Sequence, residues 1–144
     1  MILVDANLIL YAEDSLSPFH QNARLWWDEQ LSGAAPVGLC WPVITAFIRI
    51  ATNSRLQQRP LTPSEATTKV QSWLGQPCVR ILEAGPAHWE ILKSILLELR
   101  ITGNLVSDAH LAALAIGYGA ELCSTDNDFA IFSGLRWRNP IATS

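Results

Sequence analysis

The segment Met1-Ile2-Leu3-Val4-Asp5-Ala6-Asn7 decides how the chain begins to fold. Its apolar residues end at Asp5, and the next apolar residues, Leu8, Ile9 and Tyr11, recur at helical spacing. A short apolar run followed by a helical repeat predicts a buried strand that leads into an amphipathic helix. Asp5 therefore marks the carboxyl end of the first predicted strand.

The alternation of strand and helix continues along the chain. Further apolar runs predict strands at residues 37–40, 78–82, 122–124 and 135–138. Ser17-Pro18 predicts the start of the second helix, and Thr62-Pro63-Ser64-Glu65 is a capping box that predicts another helix start. Strands that alternate with helices predict an α/β fold, with a central parallel sheet of four or five strands and helices on both faces. We expect a single domain over residues 1–144, because no linker or internal repeat interrupts this pattern.

Composition and charge exclude several classes of protein. The net charge is −3, so the chain does not coat nucleic acid by bulk electrostatics. Cys40, Cys78 and Cys123 are odd in number and far apart, which favours a reducing compartment over a disulfide framework. The first residues lack the basic segment of a signal peptide, and no apolar run is long enough to cross a bilayer. We therefore expect a cytoplasmic protein that has no membrane partner.

The low charge and the tryptophan content indicate that part of the surface is covered. Charged residues make up 16% of the chain, against roughly 25% in a typical domain. Four of the six tryptophans are expected in the core or at an oligomer interface, namely Trp26, Trp27, Trp41 and Trp73. A homodimer is consistent with this composition.

Three aspartates are expected at one edge of the predicted sheet. Asp5 follows the first strand, Asp126 follows the strand at 122–124, and Asp108 lies in the first turn of a helix. Functional groups of open parallel sheets gather outside the carboxyl ends of the strands. Three carboxylates there repel one another unless a cation neutralises them, and oxygen ligands without His or Cys favour Mg²⁺ or Mn²⁺. Such a site typically holds a phosphate and a water in line for hydrolysis.

Spacing alone leaves an ordinary structural role open for each of these residues. Asp5 is a typical helix N-cap, Asp108 stabilises the positive end of a helix, and Asp126 is typical of a turn. An aspartyl-phosphate enzyme fits poorly, because no second acid lies two residues after Asp5 and no lysine follows a late strand. A dinucleotide-binding domain fits poorly as well, since no glycine-rich turn follows the first strand.

Three segments of the chain carry a family resemblance. They are ILVDAN at residues 2–7, NLVSDAHLA at 104–112 and CSTDNDF at 123–129. Together they resemble the PIN-domain ribonucleases, and more narrowly the VapC toxins of bacterial toxin–antitoxin pairs. The likeness runs from Met1 through Pro140. It implies a PIN fold and a Mg²⁺-dependent endoribonuclease, with Mn²⁺ as a substitute, that cleaves an RNA such as tRNA or rRNA. It also implies a homodimer that a cognate VapB-like antitoxin neutralises in a larger complex.

The resemblance also implies roles for particular residues. Asp5, Asp108 and Asp126 match the acidic positions of the family and are the expected metal ligands and catalytic residues. The expected auxiliary residues are Asp128, Asn7 and Thr125. For the last two, a hydrogen bond at a helix start or in a turn explains the residue equally well.

One acidic position of the family is missing from this chain. The family commonly carries a Glu three residues before an Arg in the helix after the second strand, and here Ala46 precedes Arg49 at that spacing. No acid occurs between Glu29 and Glu65 to replace it. Fewer ligands predict weaker cation binding, more metal-bound water, or a site that RNA phosphate completes. The alternative is a PIN-fold module that binds RNA or a protein without efficient catalysis.

The same acid-free interval contains three arginines, Arg49, Arg55 and Arg59. Arg49 is the expected contact for RNA phosphates or for an acidic segment of the antitoxin. A solvated helix face and the loop that follows it explain the three arginines equally well.

Overall fold

The computed structural model describes residues 1–142 and confirms the predicted α/β fold with a parallel sheet. Its strands are β1 (Ile2–Val4), β2 (Val37–Leu39), β3 (Val79–Ile81), β4 (Glu121–Cys123) and β5 (Trp137–Arg138). Its α-helices are α1 (Ala6–Glu13), α2 (His20–Ser32), α3 (Trp41–Ala51), α4 (Pro63–Leu74), α5 (His88–Glu98) and α6 (Leu105–Tyr118). A 3₁₀ helix spans Asn127–Ile131. The predicted domain extends to residue 144, so its last two residues lie outside the described part of the chain.

The sheet has the order β3-β2-β1-β4-β5, and every pair of neighbouring strands is parallel. The chain adds β2 and β3 on one side of β1 and then crosses to add β4 and β5 on the other. Right-handed crossovers therefore place α1–α4 on one face of the sheet and α5–α6 on the other. The direction in which strands are added to the sheet reverses at β1 and β4. Open parallel sheets bind ligands in the crevice at such a switch point.

The core is continuous from the sheet into the layer of α1–α4. Leu3 in β1 and Leu122 in β4 are fully buried at the centre of the sheet. On the helical side, the ring of Trp73 lies edge-on to Trp27 and Phe47, with ring centroids 5.9 Å and 4.8 Å away. This aromatic cluster joins α2, α3 and α4. Trp41, by contrast, is 49% exposed at the first turn of α3.

Two glycines are required by the backbone around the central strands. An ideal Cβ on Gly38 in β2 would lie 2.9 Å from the carbonyl oxygen of Ile2 and 2.6 Å from Leu82 Cδ1. Any larger residue would therefore force β1 and the segment after β3 to move. Gly119 ends α6 with a φ of +65°, a left-handed conformation that turns the chain into β4.

The two predicted helix starts have different outcomes. The capping box of α4 is confirmed, because Thr62 Oγ1 accepts from the backbone N–H of Glu65 and Glu65 Oε1 accepts from that of Thr62. The start at Ser17-Pro18 is wrong, since α2 begins only at His20. Ser17 Oγ instead accepts from the backbone N–H of Phe19 at 3.1 Å, which closes a turn before the helix.

Within residues 1–142, no helix combines the length and the apolar character needed to cross a membrane.

Candidate active site

The structure brings the predicted aspartates together at the switch point between β1 and β4. Asp5 directly follows β1, Asp126 follows β4, and Asp108 lies in the first turn of α6. Carboxylate oxygens of Asp108, Asp126 and Asp128 lie within 4.8 Å of one another. Asp128, expected only as an auxiliary residue, thus belongs to the tightest group. Asp5 lies outside that group and reaches it through a hydrogen-bond network.

Asp5 is both a helix cap and a member of the aspartate site, the two roles that its position in the sequence left open. Its Oδ1 accepts from the backbone N–H of Ala6 at 2.8 Å, so it is the N-cap of α1. Its Oδ2 accepts from the hydroxyl of Ser124 at 2.7 Å, which ties β1 to the end of β4. Burial raises the pKa of Asp5, and the nearby charge of Asp126 adds to the increase while both hydrogen bonds oppose it. The carboxylate is therefore oriented from both sides.

Ser124 is the centre of the network and was missed by the sequence analysis. It is fully buried, and its hydroxyl donates to Asp5 while accepting from Asn7 Nδ2 at 3.2 Å and from the backbone N–H of Asp126 at 3.0 Å. Trp137 Nε1 donates to the Ser124 carbonyl at 3.1 Å and holds the backbone in place from β5. The available signal was a serine that directly follows the apolar run of β4, two residues before Asp126.

The remaining auxiliary residues support the network in different ways. Asn7 uses both ends of its amide, because its Oδ1 also accepts from the backbone N–H of Thr125 at 3.4 Å. Thr125 takes part in the hydrogen-bond network through this backbone N–H. Asp126 Oδ1 accepts from the backbone N–H of Asp128 at 2.9 Å and caps the 3₁₀ helix. The turn that follows β4 is therefore the element that places Asp126 beside Asp128.

The cluster brings several carboxylates together at this edge of the sheet. Within residues 1–142, the salt bridges of the chain involve none of these four aspartates. Partial burial, followed by the charges of Asp126, Asp5 and Asp128, raises the pKa of Asp108 to about 6. A set of oxygen donors with excess negative charge is the environment that hard divalent cations prefer. The residues present therefore fit such an ion.

A cleft between α3 and α6 opens beside the carboxylates. It has a volume of about 500 Å³, and its lining includes Asp5, Asp108, Ala46 and Arg49. Ala46 is half-buried in this cleft, at the position where the family commonly has a Glu. Arg49 is exposed and forms none of the salt bridges found in the described part of the chain. The structure thus places Arg49 close to the site predicted from the aspartates.

Comparison with known proteins agrees with this arrangement. A model of the PIN domain family matches residues 2–135. Ribonuclease VapC37 of Mycobacterium tuberculosis is 42% identical over 142 residues, which cover 99% of each chain. Ribonuclease VapC33 of the same species is 41% identical over 141 residues, or 98% of this chain and 99% of the relative.

The fold is also found in solved structures. A chain of a toxin–antitoxin complex from Klebsiella pneumoniae superimposes with a TM-score of 0.62 over 97% of this chain and 98% of its own. Its identity to this sequence is 18%, so this likeness concerns the fold alone. Taken with the match to the family and the close relatives, the shared architecture shows that the chain belongs to the PIN-domain family and, within it, to the VapC ribonucleases.

Proposed function

We propose that this protein is a divalent-metal-dependent endoribonuclease and the toxin of a type II toxin–antitoxin pair. The observation that carries the proposal is the convergence of Asp108, Asp126 and Asp128 within 4.8 Å, with Asp5 joined to them through Ser124. The relatives that cover nearly the whole chain are named ribonucleases, which supports RNA as the substrate.

Asp5, Asp108 and Asp126 would hold Mg²⁺, with Mn²⁺ as a substitute and Asp128 as a further ligand. When bound, the ion lowers the pKa of a water and stabilises the charge that develops on the phosphodiester. The protein supplies the orientation. Ser124 fixes the Asp5 carboxylate by a hydrogen bond of 2.7 Å, and Asn7 Nδ2 donates to the Ser124 hydroxyl from the first turn of α1. A water activated by such an ion would make a side-chain nucleophile unnecessary for hydrolysis.

The matched fold and the exposed apolar side chains support two proposals about binding partners. We propose a VapB-like antitoxin as the neutralising partner, because a matched fold occurs in a toxin–antitoxin complex. We also propose a homodimer, since large apolar side chains such as Trp41, Trp89 and Leu97 are 49%, 59% and 72% exposed. A cytoplasmic location is supported by Cys40, Cys78 and Cys123, which are all free and buried.

Cleavage of total RNA by the purified, antitoxin-free protein tests the proposal. We expect cleavage in Mg²⁺ or Mn²⁺, and a loss of about 100-fold or more with EDTA, in Asp5→Asn and in Asp108→Asn, because each change removes a ligand or the ion. Cleavage that persists in EDTA would contradict a metal-dependent reaction.

A binding module is the second candidate, and the placement of Ala46 in the cleft favours it. A chain that lacks one family carboxylate holds a cation with fewer ligands. The variant Ala46→Glu separates the two candidates. Cleavage by the wild type excludes the binding module, whereas cleavage that appears only in Ala46→Glu supports it.

A further inference from the structure

We propose that the cleft between α3 and α6 receives the RNA strand, and that Arg49 binds the phosphate next to the one that is cut. This inference rests on the proposed function and identifies the residue that positions the substrate. It starts from the position of Arg49 in the cleft that contains Asp5 and Asp108.

The shape of the cleft suits an extended nucleotide chain. One wall is the exposed face of α3, which presents residues at helical spacing, namely Pro42, Thr45, Ala46 and Arg49. The other wall is the start of α6, with Ser107, Asp108 and Leu111. The volume of about 500 Å³ lies within the range of roughly 300 to 1,000 Å³ that is typical of ligand pockets. Ala46 contributes only a methyl group, so this wall stays open beside the carboxylates.

With a cation on the aspartates, the cleft offers two points of attraction for a phosphodiester chain. The aspartates, with a cation, attract one phosphate, and the Arg49 guanidinium attracts its neighbour with a planar set of donors. Arg49 is available for this contact because its side chain forms no salt bridge or hydrogen bond among those of residues 1–142. RNA is favoured over an acidic protein segment because the relatives that cover nearly the whole chain are named ribonucleases.

Two neighbouring arginines provide matched controls. Arg55 and Arg59 lie in the same acid-free interval but do not line this cleft. Arg59 lines a different cavity, near Glu13 and Asp14. General attraction of RNA to this basic interval would involve all three arginines, whereas the proposed contact belongs to Arg49 alone.

The test measures binding of 3′-labelled bulk tRNA by fluorescence anisotropy, with Ca²⁺ as a hard cation for the carboxylates. For Arg49→Gln we expect affinity to fall about tenfold and the slope of log K against log salt to decrease in magnitude by about 0.7 to 0.9. Arg55→Gln should change neither quantity. Arg49→Lys keeps the charge, so it should keep the salt slope and lose part of the affinity. In Mg²⁺, the KM for RNA cleavage should rise in Arg49→Gln while kcat stays within about twofold.

Several results would overturn the inference. The first is that the wild type does not bind tRNA. The second is that Arg49→Gln and Arg55→Gln lose affinity for tRNA equally. The third is that Arg49→Gln loses affinity for a polyglutamate peptide but keeps its affinity for tRNA. The outcome separates this inference from the nuclease proposal. Cleavage that is indifferent to Arg49 rejects only the phosphate contact, whereas Arg49-dependent binding without cleavage in Mg²⁺ rejects only the nuclease proposal.

Discussion

The two ends of helix α1 hold carboxylates in opposite electrostatic environments. At its last residue, Glu13 has a side chain that is only 9% exposed, and it accepts from Arg24 Nη1 at 2.9 Å and from Lys69 Nζ at 2.7 Å. At its N-cap, Asp5 belongs to a group of aspartates that form no salt bridge within residues 1–142. Arg24 and Lys69 therefore offset the charge where α1 meets α2 and α4. The aspartates at the other end, which form no such pairs in the described part of the chain, are where we propose that a cation binds.

Removing the paired carboxylate should have the largest effect on stability. Glu13→Gln leaves the cations of Arg24 and Lys69 without their shared partner, so we expect the free energy of unfolding to fall by about 2 kcal/mol. The melting temperature should fall by about 4 to 8 °C. Glu98→Gln is the control, because Glu98 is exposed and forms none of the described salt bridges. Equal losses in the two variants would show that Glu13 does not act as an ionic link.

A change beside Asp5, at the other end of α1, should lower the rate of RNA cleavage. Ser124→Ala removes the donor to Asp5 and the acceptor for Asn7, so we expect kcat for RNA cleavage to fall about 10- to 100-fold with little change in KM. Ser54→Ala, in an exposed loop, should match the wild type. Unchanged kcat in a folded Ser124→Ala protein would contradict a positioning role.

The same region should gain stability when one charge is removed. Asp108→Asn relieves repulsion with Asp126 and Asp128, so the metal-free protein should become about 1 kcal/mol more stable at pH 7 while it loses RNA cleavage. Chemical denaturation in EDTA measures this difference. A destabilised Asp108→Asn protein would indicate that Asp108 has a structural role instead.

Stability should depend on pH in a direction that the pKa of Asp108 fixes. Its pKa is raised from 3.8 to about 6, so between these values the folded protein binds more protons than the unfolded chain. The contribution of Asp108 to stability therefore falls as pH rises through this window and stays low above it. A cation reverses the loss, so Mg²⁺ should raise the melting temperature more at pH 7.5 than at pH 5. Equal shifts at both pH values, or the same shifts in Asp108→Asn, would contradict this account.

The parts of the site that follow from single residues could be predicted from the sequence. An Asp at the end of a buried strand, or a few residues after it, lies near the carboxyl edge of a parallel sheet. Asp5 directly follows β1, and Asp126 comes three residues after the end of β4. The capping box of α4 is equally local, because both of its hydrogen bonds join residues three positions apart.

The parts that depend on contacts distant in sequence could not be predicted. Ser124 is an ordinary serine until β4 lies beside β1, where its hydroxyl meets Asp5, 119 positions away. The grouping of Asp128 with Asp108 depends likewise on how the 3₁₀ helix packs near α6. The start of α2 could not be predicted for a local reason. The Ser17 hydroxyl can cap a helix or close a turn, and here it closes a turn.

Binding of Mn²⁺ at pH 7.5, followed by the loss of the electron paramagnetic resonance signal of the free ion, tests the central claim most directly. We expect the wild type and Glu13→Gln to bind Mn²⁺ saturably and in competition with Mg²⁺, because their aspartate cluster is intact. The double variant Asp108→Asn, Asp126→Asn should leave the free signal unchanged, since it removes two of the three closest carboxylates. Equal Mn²⁺ binding by the wild type and the double variant would contradict a cation site at the end of β1 and β4.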